Sequence, residues 1–466
     1  MVRRSACAVD VGWYASRQGL YMKATRNFIQ VWLLGVTMFA LAIVVQGQPV
    51  TKISGGAGHN LFLKSDGSLW GMGWNVYGQL GDGTYNNIIF PEQTVASNVV
   101  AISAGQTHSL FIKSDGSLWG VGNSGSFQLG FNYQYWTNQP AMIVESNVTA
   151  IASGWYHGLF LKSDGSLWAM GYNSYGQLGD GTYNTTYHPV QIVSNNVTAI
   201  AVGYSHSLFL KNDGSVWAMG YNGYGELGSG TYFYTNRPEQ IITSNVTAIA
   251  AGGNTSLFLK CDGSLWACGD PGIGQLGLGN RLQYFLTPTL VISNNVTAIA
   301  AGFYHSICLK SDGSLWGMGD NHYGQLGLSQ TIYEALWPTQ IVTCGVVAIT
   351  AGHSHTIFQK SDGSLWGMGE NDVGQLGDGT GNNCYIPELI LAAYNQLAGN
   401  FLNNGSFQIS FVGVAGADYV LERTACLSPA IWISQMTNSA NSFGALVFTN
   451  TPDQTTNNFW RIRSVP

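Results

Sequence analysis

The stretch "LKSDGSLWGMG", residues 63–73, decides the fold, because near-copies of it return along most of the chain. The copies are counted by their tryptophan: Trp70, Trp119, Trp168, Trp217, Trp266, Trp316 and Trp366, spaced by 49 residues four times and then by 50 twice. A fixed period in the range of about 20–50 residues marks a solenoid, a propeller or an array. Every copy carries Asp-Gly-Ser, and Asp-Gly between apolar runs predicts a hairpin with a type I′ turn. In the fourth copy its strands are "HSLFL" (206–210) and "SVWAMG" (215–220), while "PVQIV" (189–193) and "VTAIA" (197–201) are the period's two other apolar runs. Four short strands in each of seven repeats, with no helical period, predict an all-β chain built as a seven-bladed β-propeller of four-stranded blades.

Composition agrees. There are 61 glycines and only 9% charged residues, as tight turns demand, while 45% hydrophobic and 12% aromatic residues supply a core. One large aromatic per blade at a fixed place reads as a packing requirement, so the seven tryptophans are assigned to the core. The net charge of −6 and the lack of a Lys/Arg cluster on any repeat exclude a nucleic-acid partner.

The repeat "VTAIAAG-x-x-HSLFLKSDGSLWGMG-x-N-x-YGQLGDGT" resembles that of the regulator of chromosome condensation family, in seven copies over about residues 48–393. The resemblance implies the propeller and leaves the function open. The family's eukaryotic founder is a nucleotide exchange factor for a small GTPase and binds chromatin. Other members are light sensors, ubiquitin ligase modules and secreted inhibitors of β-lactamases.

The ends of the chain point to export. Residues 28–45 form an apolar run preceded by Lys23 and Arg26 and followed by compact residues, the pattern of a secretory signal with its natural start at Met22. The same run is long enough to act as an uncleaved anchor. Three regions follow: a signal region 1–47, a propeller 48–393 and a C-terminal module 394–466. In the last, "SFQISFVG", "DYVLER", "AIWIS", "ALVFT" and "NFWRIRS" predict a small antiparallel β-sandwich, which resembles the C-terminal β-modules of large exported bacterial proteins. The expected location is secreted, periplasmic or cell-surface, with no stable membrane association once the signal is removed. The strand at 50–54 is expected to complete the seventh blade beside 387–391.

No Cys-x-x-Cys pair exists among the seven cysteines, so no zinc site is expected; one or two disulfides are compatible with export. His59, His108, His157, His206, His305 and His355 occupy one repeat position, with Thr255 in the fifth copy. Six equivalent histidines around a ring cannot all serve one substrate, and they are expected to satisfy buried backbone groups at a strand start. "GDGT" at 81–84 and 179–182 reads as a turn rather than a calcium loop, and the Asn-x-Thr sequons as turn chemistry. No metal or cofactor is expected.

What repeats serves the blade; what varies is free to serve a partner. A meander sends successive connections to opposite faces, so the Asp-Gly hairpins and "SNNV" links share one monotonous face. The other carries the two residues before each histidine and the long loop after "GQLG", rich in aromatics and poor in charge, the composition of a paratope. The candidate binding residues are Trp155, Tyr156, Tyr204, Phe303 and Tyr304 of the short loops, and Tyr135, Trp136, Tyr232 and Tyr234 of the long ones. The reading is a non-catalytic module for a protein or glycan. Its alternatives are an exchange-factor-like regulator by family descent and a propeller enzyme acting on polysaccharide. An enzyme needs paired carboxylates or a metal cluster; Asp270, Asp320 and Glu370, at one repeat position in successive blades, are the only acidic clustering of the loops and read as turn caps.

Overall fold

The computed structural model describes residues 13–16, 19–22, 48–131, 136–391 and six strands between 398 and 464. The signal region 1–47 apart from residues 13–16 and 19–22, together with Tyr135 and Cys426, lies outside the described residues. The chain divides into two compact units, one of them Pro49–Leu391 and the other the residues on either side of it. Within the latter, Ala398–Phe401, Phe407–Val412 and Ala445–Asn450 form one three-stranded antiparallel sheet, and Ile433–Ser439, Asp418–Thr424 and Phe459–Ser464 another. The strand expected at 430–434 runs from Ile433 to Ser439 instead.

Pro49–Leu391 holds seven four-stranded antiparallel sheets, each built from four consecutive strands. Blade 1 is Val50–Gly55, His59–Lys64, Leu69–Gly73 and Ile88–Val95. Blade 7 is Val346–Ala351, His355–Lys360, Leu365–Gly369 and Cys384–Leu391. The first strand of each blade packs against the first strands of its neighbours, so these strands surround the axis.

The expectation that residues 50–54 complete the seventh blade is wrong. Val50–Gly55 pairs with His59–Lys64 in blade 1, and blade 7 already has four strands of its own. A periodic sequence does not mark where its unit starts: "VTAIA" after "PVQIV" opens the next blade rather than finishing the last. The ring closes by side-to-side contact. The Gly55 amide donates to Thr350 Oγ1 at 2.9 Å, Gln359 Nε2 to the Val50 carbonyl at 2.8 Å and Asn60 Nδ2 to the Gln375 carbonyl at 2.6 Å. Phe62 and Met72 join Ile357, Leu365 and Leu376 in the core between blades 7 and 1. A similar apolar cluster fills every other interface; between blades 4 and 5 it joins Leu208, Val216 and Leu227 to Phe258 and Cys268.

The hairpin turn also differs from the type I′ expectation. Lys64 N–H donates to the Ser68 carbonyl and Gly67 N–H to the Lys64 carbonyl, both at 3.0 Å. Gly67 takes a positive φ of 77° and Asp66 does not. This is a three-residue loop, a type I turn closed by a left-handed residue. Asp66 Oδ1 accepts the Ser68 amide at 2.9 Å and its hydroxyl at 2.6 Å, and Ser68 Oγ accepts Trp70 Nε1 at 2.9 Å. Lys64 Nζ then lies 3.5 Å over the Trp70 ring, and all seven repeats place their lysine this way. The tryptophans are therefore half-buried, correcting their assignment to the core. The fully buried aromatic is the phenylalanine beneath: Phe62, Phe111, Phe160, Phe209, Phe258 and Phe358, with Cys308 in blade 6. The link asparagines Asn98, Asn147, Asn196, Asn245 and Asn295 all take positive φ, which short polar side chains tolerate.

Candidate functional site

The histidines hold the blades together. His59 Nε2 meets Ser109 Oγ of blade 2 at 2.9 Å, and Ser109 Oγ donates to the Gln79 carbonyl of blade 1 at 2.7 Å. His157–Ser207, His206–Ser256, His305–Thr356 and His355–Asn60 repeat the bridge at 2.9–3.1 Å. The partner is thus a side chain of the next blade, not the expected backbone group. Two interfaces lack the bridge: Gly158 faces His108, whose ring nitrogens have no partner, and Thr255 replaces the histidine of blade 5. All six rings are fully buried, and burial lowers His59, His157, His305 and His355 to about 3 and His108 and His206 to about 4. Neutral, enclosed rings are structural. The glycine three residues before each is required by close approach: a Cβ on Gly302 would stand 2.2 Å from the His305 ring.

Between that glycine and the histidine lie the two variable residues of the short loop. Their backbones are chained around the axis: Ala57 N–H donates to the Gly105 carbonyl, Gln106 to Gly154, Tyr204 to Gly252, and His353 of blade 7 to Gly56 of blade 1, at 3.1–3.2 Å. This circle rims an axial cavity of about 80 Å³, lined by Trp155, Tyr204, Phe303 and His353 among small residues. Trp155 of blade 3 reaches across the axis, its ring centroid 5.0 Å from Phe303 of blade 6 and 5.7 Å from His353 of blade 7. Tyr204 lies 4.6 Å from Trp155, Tyr304 4.4 Å from Phe303 and Tyr156 6.1 Å from Trp155. The five short-loop candidates therefore form one aromatic cup, with His353 as a sixth member.

A family model described as the RCC1-like domain matches residues 33–291 and 193–411. This chain belongs to the RCC1-like domain family. Among solved structures, human WBSCR16 is similar at 24% identity over 74% of this chain and 92% of its own, with a TM-score of 0.62. Yeast RCC1 (Prp20), in its complex with Kap60, is 19% identical over 79% of this chain and 91% of its own, with a TM-score of 0.64. At such identities the likeness is one of fold. The X-linked retinitis pigmentosa GTPase regulator homolog of Caenorhabditis elegans is 55% identical over 38 residues, which is 8% of this chain and 3% of that protein.

On this RCC1-like domain the long-loop candidates do not join the cup. Tyr232 contacts Tyr284, and Tyr234 contacts Tyr175 and Tyr183, away from the axis; Trp136 is exposed on the outer strand of blade 2. What connects cup to rim is a set of tyrosines the sequence reading passed over. Tyr156 meets Tyr172 at 6.1 Å, Tyr172 meets Tyr175, Tyr175 meets Tyr221 at 4.9 Å, and Tyr221 continues through Tyr224 to Tyr284 at the edge. They lie inside "GYNSYGQLG" and "GYNGYGELG", a motif that looks monotonous along the repeats. Their variation against Trp74, Asn123, Asp270, Asp320 and Glu370 at the first tyrosine position was the available signal.

Some acids of the RCC1-like domain stand close enough to act on one another, Glu226 with Asp270 and Glu370 with Asp372. Glu226 replaces the repeat's glutamine and is buried, accepting the Tyr224 amide at 2.8 Å; burial pushes its carboxyl up to about 8. In blade 7, Asp378, Cys384 and Glu388 bring potential metal-ligand atoms within 4.8 Å of each other. Burial and the neighbouring Glu388 push the Cys384 thiol up to about 12.

Proposed function

We propose that this protein is an exported, non-catalytic binding module that holds a protein or glycan partner on the variable face of its propeller. The observation that carries the reading is the cup. Large rigid aromatics from blades 3, 4 and 6 converge on a cavity at the axis, where small or polar side chains would fold equally well. Amphipathic rings held at the centre of a concave face are the usual anchors of recognition. The non-catalytic reading is supported by the tier acids Asp270, Asp320 and Glu370, which stand one blade apart, Asp270 and Asp320 each accepting an amide of its own turn. Export rests on residues 23–47 and is tested by N-terminal sequencing of the secreted protein, which should begin near Gln48.

The test of the site is a paired scan. Trp155→Ala, Tyr204→Ala and Phe303→Ala should each weaken a ligand found by glycan-array or secretome screening by about 2 kcal/mol or more. Their melting temperatures should stay near the parent's, because blades 1 and 5 carry Ala57 and Gly253 at the same place. Unchanged binding in all three variants would remove the cup from the mechanism.

A further inference from the structure

The cup's surroundings narrow the chemistry of its partner. The residue after the third-strand glycine runs round the ring as Trp74, Asn123, Tyr172, Tyr221, Asp270, Asp320 and Glu370. Each is tied by its amide to the carbonyl of the second short-loop residue of its own blade, as Tyr172 to Tyr156, Tyr221 to Ser205, Asp270 to Asn254, Asp320 to Tyr304 and Glu370 to Ser354, the seven bonds spanning 2.7–3.0 Å. They therefore form a second tier just outside the cup, at one level. That tier is uneven: aromatic over blades 1, 3 and 4, amide over blade 2 and acidic over the contiguous blades 5, 6 and 7.

The acidic arc lies beside the cup: the charges of Asp270 and Asp320 act on Tyr304, and that of Asp320 on His353, while Asp270 Oδ1 accepts the Gly272 amide at 2.9 Å. Among the described residues, neither Asp270 nor Glu370 pairs with a lysine or arginine. Asp320 is held by Gln325 Nε2 at 2.9 Å and by His322. The described lysines are elsewhere: seven lie over their tryptophans at the hairpins, on the opposite face, and Lys52 donates to the Val100 carbonyl. Arg281 is engaged by Glu334 and Arg237 stands on the outer strand of blade 4. His353, the one basic group in the cup, is kept neutral by burial. Burial also raises the Asp270 carboxyl, and Glu370 to about 7, as expected of half-buried acids with no cation beside them.

We propose that the cup receives a cationic side chain, arginine or lysine, presented by a partner protein, its stem stacked on Trp155, Tyr204 and Phe303 and its charge turned toward Asp270, Asp320 and Glu370. An aromatic wall attracts a cation through the ring quadrupole, and carboxylates on the facing side add charge-assisted hydrogen bonds. A neutral sugar uses only the first of these walls, and an anionic one is repelled by the second. This proposal rests on the cup being the binding site and specifies what it binds.

Calorimetric titrations of the intact protein separate the possibilities. The probes are Nα-acetyl-arginine methylamide and Nα-acetyl-lysine methylamide, with the citrulline analogue as the neutral isostere of arginine and chitotetraose as a sugar. The two cations should bind about tenfold more tightly than citrulline, and added salt should narrow the difference. The double variant Asp270→Asn with Glu370→Gln should remove that preference by weakening the two cations far more than citrulline; Asn123 already occupies this position in blade 2. Trp155→Ala should weaken all three amino-acid probes. Equal binding of arginine and citrulline, both sensitive to Trp155→Ala, would overturn the cationic partner and leave the cup as a site. Binding of chitotetraose alone would overturn it in favour of a glycan. No binding to any probe, or binding indifferent to Trp155→Ala, would overturn this proposal, and the second result would take the cup with it.

Discussion

Gly158 is a single missing side chain with a visible effect. Every other histidine of the ring finds a hydroxyl or amide on the next blade, while the His108 ring is buried with neither nitrogen engaged. A Cβ on Gly158 would meet Met170, Leu110 and Ala152 at 3.4–3.6 Å, ordinary contact distances. Gly158→Ser should therefore complete the bridge from His108 and stabilise the protein by about 1 kcal/mol in urea denaturation, since the buried donor is already desolvated. The mirror change Ser207→Gly should lose about as much. If Gly158→Ser destabilises, the bridge is not a stabilising element and the histidines serve packing alone.

At the scale of the element, one turn recurs in two settings. Gly67 and Gly363 close equivalent hairpins with φ of 77° and 89°. A Cβ on Gly67 would fall 2.9 Å from the Asn98 amide nitrogen in the link to blade 2, whereas one on Gly363 meets nothing within 4 Å. Gly363→Ala should cost only the left-handed backbone strain, about 1 kcal/mol, and Gly67→Ala at least about 1 kcal/mol more, as read from paired melts. Equal losses would mean that the hairpin does not bear on the following link.

Elements also show what was legible beforehand. The four strands, their alternation and the turn after each lysine could be read because apolar runs and Asp-Gly recur at fixed offsets. The turn type could not: Asp-Gly fits both a two-residue loop and a left-handed closing glycine, and the choice depends on how many residues the strands leave between them. The frame of the blade was hidden too, since a period has no beginning, and so residues 50–54 were placed in the wrong sheet. For the site, Trp155, Tyr204 and Phe303 stood out because repeats 1, 2 and 5 carry Ala57, Gln106 and Gly253 there. Tyr172, Tyr175, Tyr221 and Tyr224 did not, because half of their motif really is structural: Asn173 Oδ1 accepts the Leu178 amide at 2.9 Å and Asn222 Oδ1 the Leu227 amide at 2.9 Å. Reach decides the rest. Whether a long-loop tyrosine such as Tyr234 turns to the axis or to Tyr183 depends on loop geometry that no spacing encodes.

Over the whole molecule, the buried histidines make the ring sensitive to acid. In the unfolded chain each titrates near its ordinary value of 6.5, while in the folded one burial holds it to about 3 or 4. Below pH 6.5 the unfolded state therefore binds protons the folded state refuses. Stability is fully present above that pH and is lost as pH falls toward 4, each histidine contributing up to about 1.4 kcal/mol per pH unit. Thermal melts should be nearly flat from pH 8 to 7 and drop steeply between pH 6 and 5. A melting temperature unchanged down to pH 5 would mean that the rings are solvated in solution.

The blade frame has a consequence for descent. In a ring latched by a strand shared between its two ends, one blade is split across the chain and cannot be copied whole. Here every blade is one uninterrupted stretch, and blade 7 meets blade 1 through the same kind of contact as any neighbours. A duplication or exchange of one 49- or 50-residue segment therefore carries a complete, self-bonded sheet together with its own portion of the cup. Ancestry can shuffle recognition by the module: transposing the third repeat with the fifth would separate Asp270 from the other two acids and carry Trp155 to the place of Gly253 while leaving the order of strands intact.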